Sequence, residues 1–206
     1  MLDRVVVMNK VVVDLAPVLR KAILKVAAPV SRERPSTRAI CEALKVARGK
    51  LAHRFGGPVK CRYAGCPSVV NDDYTEKVLA YLWDFSFSRF RITEAIEQRG
   101  KWPSPQSKYE ILLVAESELG TAHEICRDLL KLLEARAMVR CLIFRQPKRA
   151  RRQEALQQRM LRIMHRHRHF DPQSENWLFL GLCWGPGQLS CDAYTLNEAG
   201  TAFSPL

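Results

Sequence analysis

Three carboxylates stand at positions where charge is expensive. Glu116 and Glu118 follow the largely apolar, strand-length run at 109–115 (YEILLVA). Their spacing of two puts them on one face of that strand. Asp84 sits inside the aromatic segment YLWDFSFS. Its alternation turns Trp83, Phe85 and Phe87 one way and Asp84, Ser86 and Ser88 the other, which predicts a half-buried strand. Burying carboxylates side by side is costly unless a cation compensates. If the two strands pair, Asp84 and Glu116 meet at one end of a sheet, and with Glu118 they form an oxygen-rich pocket suited to a hard cation such as Mg²⁺. A divalent ion there activates water and stabilises charge growing on a phosphate, which is the chemistry of phosphodiester cleavage. The same residues also admit plainer readings. Glu116 and Glu118 can begin an exposed turn and cap the next helix, and Asp84 can lie on the wet face of an edge strand.

The elements that must hold these residues follow from periodicity. Residues 1–30 open with VVVMNKVVV, whose β-branched content reads as an edge strand, and continue with helical spacing at Leu15, Leu19, Ile23 and Val26 around Pro17. After the polar break SRERPST, Thr37 is placed to cap a helix over 38–55 with Ile40, Leu44, Val46, Ala47 and Leu51 inward, ended by Gly56-Gly57-Pro58. Asn71 or Asp72 is placed to cap a short helix carrying Glu76 and Leu79. Beyond Glu118, Thr121 caps a helix over 122–136 with the stripe Ile125, Cys126, Leu129, Leu132 and Leu133. Strands are expected at 138–144 and 177–184, and a short one at 193–196. Strand, strand, helix, strand, helix, strand predicts an α/β fold with a mixed central sheet flanked by helices. The division expected is a mostly helical N-terminal extension over 1–70 and a core over 71–206.

Charge is distributed unevenly. The 206 residues hold 33 Lys and Arg against 21 Asp and Glu, a net of +12. Nine of those bases and a single acid, Glu154, fall within 145–168, so this segment alone carries eight of the twelve. Its helical stripe is thin (Leu156, Met160, Ile163, Met164). Its exposed side offers Lys148, Arg149, Arg151, Arg152, Arg159, Arg162 and Arg166 as phosphate contacts. His165, His167 and His169 alternate by two and cannot share one helical face, so they read as an exposed tract. Cys61 and Cys66, with His53 nearby, have half a zinc spacing but no matching second pair.

YLWDFSFSRF, ILLVAESELG, AHEICRDLLKLLEA and VRCLIF, in that order, resemble the core of the PD-(D/E)xK nuclease superfamily, the restriction-endonuclease-like fold, over about residues 73–145. The chain is similar to the variant with a Glu-Ser-Glu motif on the central strand and an Asp-x-x-Lys helix after it. The resemblance implies Asp84 as first metal ligand and Glu116 as second. Glu118 stands in the usual lysine position, where a second glutamate serves some members in assisting the attacking water; the alternative for that role is Lys131, a lysine moved onto the helix. Glu76 matches the accessory acid some members add. Two departures are visible: Trp83 precedes Asp84 where the family has proline, and Glu118 replaces the strand lysine. On a helical wheel Lys131 lies opposite the apolar stripe, where it equally serves as a solvated partner of Asp128 or Glu134.

Composition narrows the classes. Apolar residues make up 47% of the chain, which fits a folded domain rather than a disordered one. No stretch has the ~20 apolar residues a membrane span needs. The seven cysteines are odd in number and several lie in apolar runs, which predicts a reducing, cytoplasmic setting. No P-loop, GxGxxG or GxSxG motif occurs. The expected function is therefore a metal-dependent nuclease using Mg²⁺ or Mn²⁺, acting on nucleic acid with DNA favoured over RNA. The alternative is a non-catalytic nucleic-acid-binding or assembly protein that keeps the fold. A homodimer or partner subunit is a further expectation, with the Trp-bearing segment 177–184 as one candidate surface.

Overall fold

A computed structural model of the chain describes residues 2–27, 35–55, 60–63, 84–88, 111–185 and 188–206. Glu76, Cys66, Trp83 and the helix expected after Asn71 lie outside the described residues.

Valine-rich segments favour strands only when a sheet edge is there to receive them. Here the opening is instead a single helix, α1 (Leu2–Ala27), with Pro17 inside it. Val12, Leu15, Leu19 and Ile23 recur at helical spacing and are all buried. Pro17 lies on the exposed side, where water can take the backbone carbonyl the proline leaves unpaired. The edge-strand expectation is thus overturned by a core stripe that continues on both sides of the proline. Helix α2 (Thr37–Arg54) begins one residue earlier than expected. Its N-cap is Ser36, whose Oγ accepts from the Ala39 amide at 3.2 Å. Val46 is exposed rather than inward.

Seven strands form one sheet in chain order: β1 (Lys60–Tyr63), β2 (Phe85–Ser88), β3 (Ile111–Glu118), β4 (Val139–Arg145), β5 (Asn176–Gly185), β6 (Gln188–Leu196) and β7 (Phe203–Pro205). β1, β2 and β3 are antiparallel; β3, β4 and β5 are parallel; β6 and β7 return antiparallel. Parallel neighbours require crossovers. These are α3 (Ala122–Glu134) and the basic α4 (Ala150–Arg166), which pack together. The sheet is therefore mixed and flanked by helices, as the periodicity implies. β6 is longer than the short strand expected, and β7 carried no pattern strong enough to read.

Alternation along the central strands divides two apolar layers. Phe85, Phe87, Leu113, Ala115, Cys141, Ile143, Leu178 and Leu180 pack with α1 and α2. Val114, Leu142, Phe144, Trp177 and Phe179 pack with α3 and α4. The two helices of the expected N-terminal extension thus share one core with the sheet. Segment 177–184 is not a free surface, since β5 pairs on both sides and Trp177 is 1% exposed. Arg140 closes the lower end of the second layer. Its Nε donates to the carbonyls of Leu132 (3.0 Å) and Ala135 (2.9 Å), satisfying the end of α3. Its guanidinium also pairs with Glu175 at 3.1 Å and lies over the Trp177 ring.

Candidate active site and basic cleft

The antiparallel register of β2 and β3 sets Phe85 opposite Ala115. One residue further, Asp84 comes beside Glu116, and both point to the α3 side, away from Phe85 and Phe87. The β3 run continues through Glu118, so both glutamates lie within the strand and not in a turn beyond it. Glu116 is 1% exposed, which removes the exposed-turn reading for that residue. Asp84 is half-buried, and its Oδ2 accepts from the Ser117 amide at 2.8 Å. Glu118 is also half-buried; its Oε1 accepts from the Gly120 amide at 2.6 Å and so shapes the turn into α3. An added Cβ at Gly120 would displace the Glu124 and Glu118 carboxylates from these positions.

α3 completes the cluster. Thr121 and Glu124 form a capping box that fixes where the helix starts, and therefore which residues face the sheet. Asp128 falls on the buried side, only 4% exposed, next to the stripe of Ile125 and Leu129. The long stem of Lys131 brings its ammonium within 2.8 Å of Asp128 Oδ1 and 3.5 Å of Glu116 Oε2, while its side chain remains 43% exposed. Lys131 is thus a partner of Asp128, as the spacing allowed, and also of Glu116. Sequence reasoning treated Asp128 only as a surface partner. Its three-residue offset from Lys131 was the available signal.

Two contacts from the opposite face hold the acidic strands. Thr37 Oγ1 donates to the Ser117 carbonyl at 3.3 Å, and Cys41 Sγ donates to the Asp84 carbonyl at 3.5 Å. Helix α2 therefore backs both strands at the residues that carry or adjoin the carboxylates.

Burial dominates the electrostatics. Desolvation, followed by repulsion from Asp84, pushes the Glu116 carboxyl up to about 8 against the pull of Lys131. Burial also raises Asp84, with the Ser117 amide opposing it and Asp128 and Glu118 adding to it. Burial lowers Lys131, but its bond to Asp128 and the charges of Glu116, Asp128 and Asp84 outweigh this and hold the ammonium above its ordinary value.

Among the described residues, no three His, Cys, Asp or Glu side chains stand together as a ready ligand group. The Lys131 ammonium lies against Glu116 and Asp128 instead. A hard cation nevertheless fits the donor set. The donors are all carboxylate oxygens, and Glu116 Oε1 is buried without a hydrogen-bond partner.

The expected phosphate contacts lie on the other side of the α3 N-terminus. A cleft of about 660 Å³ opens there, bounded by Gly120–Ala122, the β4–α4 connection and the end of β5. Arg145, Lys148, Arg149, Arg152 and Arg159 line it. Arg159 also borders a neighbouring groove with Arg162 and Arg166, so the basic lining continues along α4. Arg151 is exposed but lines neither. Arg145 was counted in the charge run but not singled out as a contact; its cation lies over the Trp184 ring at 5.3 Å. The three histidines do not converge: His165 pairs with the Gly200 carbonyl, while His167 pairs with Glu134 and lies beside the His169 ring at 5.7 Å. Searches against family models, curated proteins and solved structures found no match for this chain.

Proposed function

We propose that the protein is a metal-dependent nuclease that hydrolyses phosphodiester bonds, in DNA ahead of RNA. The observation that carries this reading is the juxtaposition of Asp84 and Glu116 on adjacent strands with Lys131 at 3.5 Å from Glu116. This is the disposition that the resemblance to the PD-(D/E)xK superfamily and its restriction-endonuclease-like core implies. In support, a buried carboxyl pushed up to about 8, with one oxygen lacking a hydrogen-bond partner, is a perturbation of the kind that clusters at functional sites.

Asp84 and Glu116 would hold Mg²⁺ or Mn²⁺, with Glu118 beside them on the same strand face. When bound, such an ion neutralises phosphate charge and makes a water ligand more acidic. Lys131 presents a proton-bearing ammonium next to Glu116, suited to orienting the attacking water or steadying charge on the phosphate. Asp128 holds that ammonium in place. The cleft and the α4 groove bind the flanking backbone through arginines, which pair with phosphate in a bidentate manner. We place the protein in the cytoplasm, a reading supported by the free thiols of its described cysteines.

The test combines cleavage with a binding readout. Wild type is expected to cut plasmid DNA with Mg²⁺ and not in EDTA. Mn²⁺ is expected to raise its melting temperature, and Glu116→Gln should lose both responses while remaining folded. Cleavage in EDTA, or an active Glu116→Gln protein, overturns the reading. Salt-dependent DNA binding with neither cleavage nor a Mn²⁺ shift would favour the non-catalytic alternative.

A further inference from the structure

Five cations line the cleft at the ends of β4 and β5, and among the described residues no acidic one borders it. Among the described residues none of the five has an ion-pair partner. Crowded like charges without partners disfavour the compact state, and a bound anion relieves them. The helix that begins there makes the imbalance sharper. α4 has no side-chain N-cap and no acid in its first turn, while Lys148, Arg149, Arg151 and Arg152 surround its positive end. Bases at a helix N-terminus oppose the macrodipole. α3, by contrast, begins with a complete capping box. The uncapped amides of α4 and the surrounding cations are thus jointly suited to phosphate.

Size and lining narrow the ligand. About 660 Å³ is within the range of pockets that enclose small molecules, room for one or two nucleotides. Trp184, half-buried, borders the same cleft; its ring packs in part against the core below the sheet, and the Arg145 guanidinium lies over it. An indole next to an arginine is the kind of surface on which an unpaired base stacks.

We propose that this cleft is a subsite for an unpaired nucleotide strand, its phosphates held by Arg149, Arg152 and Lys148 and a base resting on Trp184. The substrate is then single-stranded or frayed where it meets the protein. It crosses the start of α3 to reach Asp84, Glu116 and Lys131. The identity of the ligand as a substrate rests on the nuclease reading; the binding preference itself does not.

The experiment is fluorescence anisotropy in EDTA, where cleavage plays no part. It uses a labelled twelve-residue oligothymidylate, a duplex of the same length and inorganic pyrophosphate as competitor. The single strand is expected to bind more tightly than the duplex. Trp184→Ala should weaken single-strand binding about tenfold with an unchanged salt slope, and Trp184→Phe should restore most of it. Arg149→Ala/Arg152→Ala should lower the salt slope for the single strand by roughly 1.4. Equal or tighter duplex binding, an equal loss of both ligands in Trp184→Ala, or pyrophosphate competing as well as the oligonucleotide would overturn the proposal. Loss of the strand preference with cleavage intact refutes the subsite alone. Strand binding without metal-dependent cleavage refutes the nuclease reading alone.

Discussion

The Lys131 ammonium, carried on a helix, lies 3.5 Å from the carboxylate of Glu116, which is buried in the strand beneath it. The pair is not an ordinary salt bridge. Glu116 keeps a second oxygen without a hydrogen-bond partner, and Lys131 is bound more closely to Asp128, at 2.8 Å. A single cation is therefore shared by two buried acids, with Asp84 close enough to repel Glu116. Such a crowd of buried acids is expensive to ionise fully.

That expense gives the protein a pH signature in the absence of metal. Burial pushes the Glu116 carboxyl up to about 8 in the folded protein, against an ordinary 4.5. The native state therefore keeps a proton that the unfolded chain has already released, and stability falls as pH rises between those values. Each unit in that window costs up to about 1.4 kcal/mol. Denaturant titrations in EDTA from pH 5 to 8.5 are expected to show this decline in wild type. Glu116→Gln should flatten it and be the more stable protein at pH 8. A wild-type curve that rises through the window would contradict the assignment.

Lys131 and Asp128 separate chemistry from support. Lys131→Met should lower phosphodiester cleavage about 100-fold or more, in line with the loss of a positioned proton-bearing group. Asp128→Asn keeps the side-chain shape but removes the charge that anchors the ammonium. It is expected to shift the pH–rate profile and to leave more activity than Lys131→Met. Cleavage rates across pH for both variants decide the matter, and an Asp128→Asn enzyme as impaired as Lys131→Met at every pH would count against a positioning role.

Arg140 supports the other end of α3. It satisfies two helix carbonyls and compensates Glu175 in a largely buried place. Arg140→Met leaves that carboxylate without its charge partner and is expected to cost about 3–5 kcal/mol in urea unfolding. Arg140→Lys should recover little, because an ammonium cannot reproduce the planar fork over Trp177. The double variant Arg140→Met/Glu175→Gln should recover part of the loss, since no charge is then stranded.

Local pattern made much of this architecture legible, and particular residues show where it stopped. Thr121 was readable as a cap because a threonine three residues ahead of Glu124 satisfies helix amides whatever surrounds it. The opposed faces of Phe85 and Asp84 were readable because a strand alternates by geometry alone. The valine-rich opening misled, because β preference has to be weighed against burial of Val12, Leu15 and Leu19 that only packing reveals. β7 lies at an edge with three residues, too short for any period to show.

By itself, the chain's sequence determined the periodicities, the caps, the positive segment after β4 and the strand faces on which Asp84 and the pair Glu116 and Glu118 lie. These depend on residues a few places apart. Only the tertiary structure decided that Asp84 stands beside Glu116, that Asp128 is buried, that Lys131 reaches the strand, and that residues from 120 to 184 enclose a single basic cleft. Register between strands and the rotation of a helix over a sheet are settled by which apolar surfaces can be buried together. That is a property of contacts between residues far apart in the chain, and periodicity along one segment does not contain it.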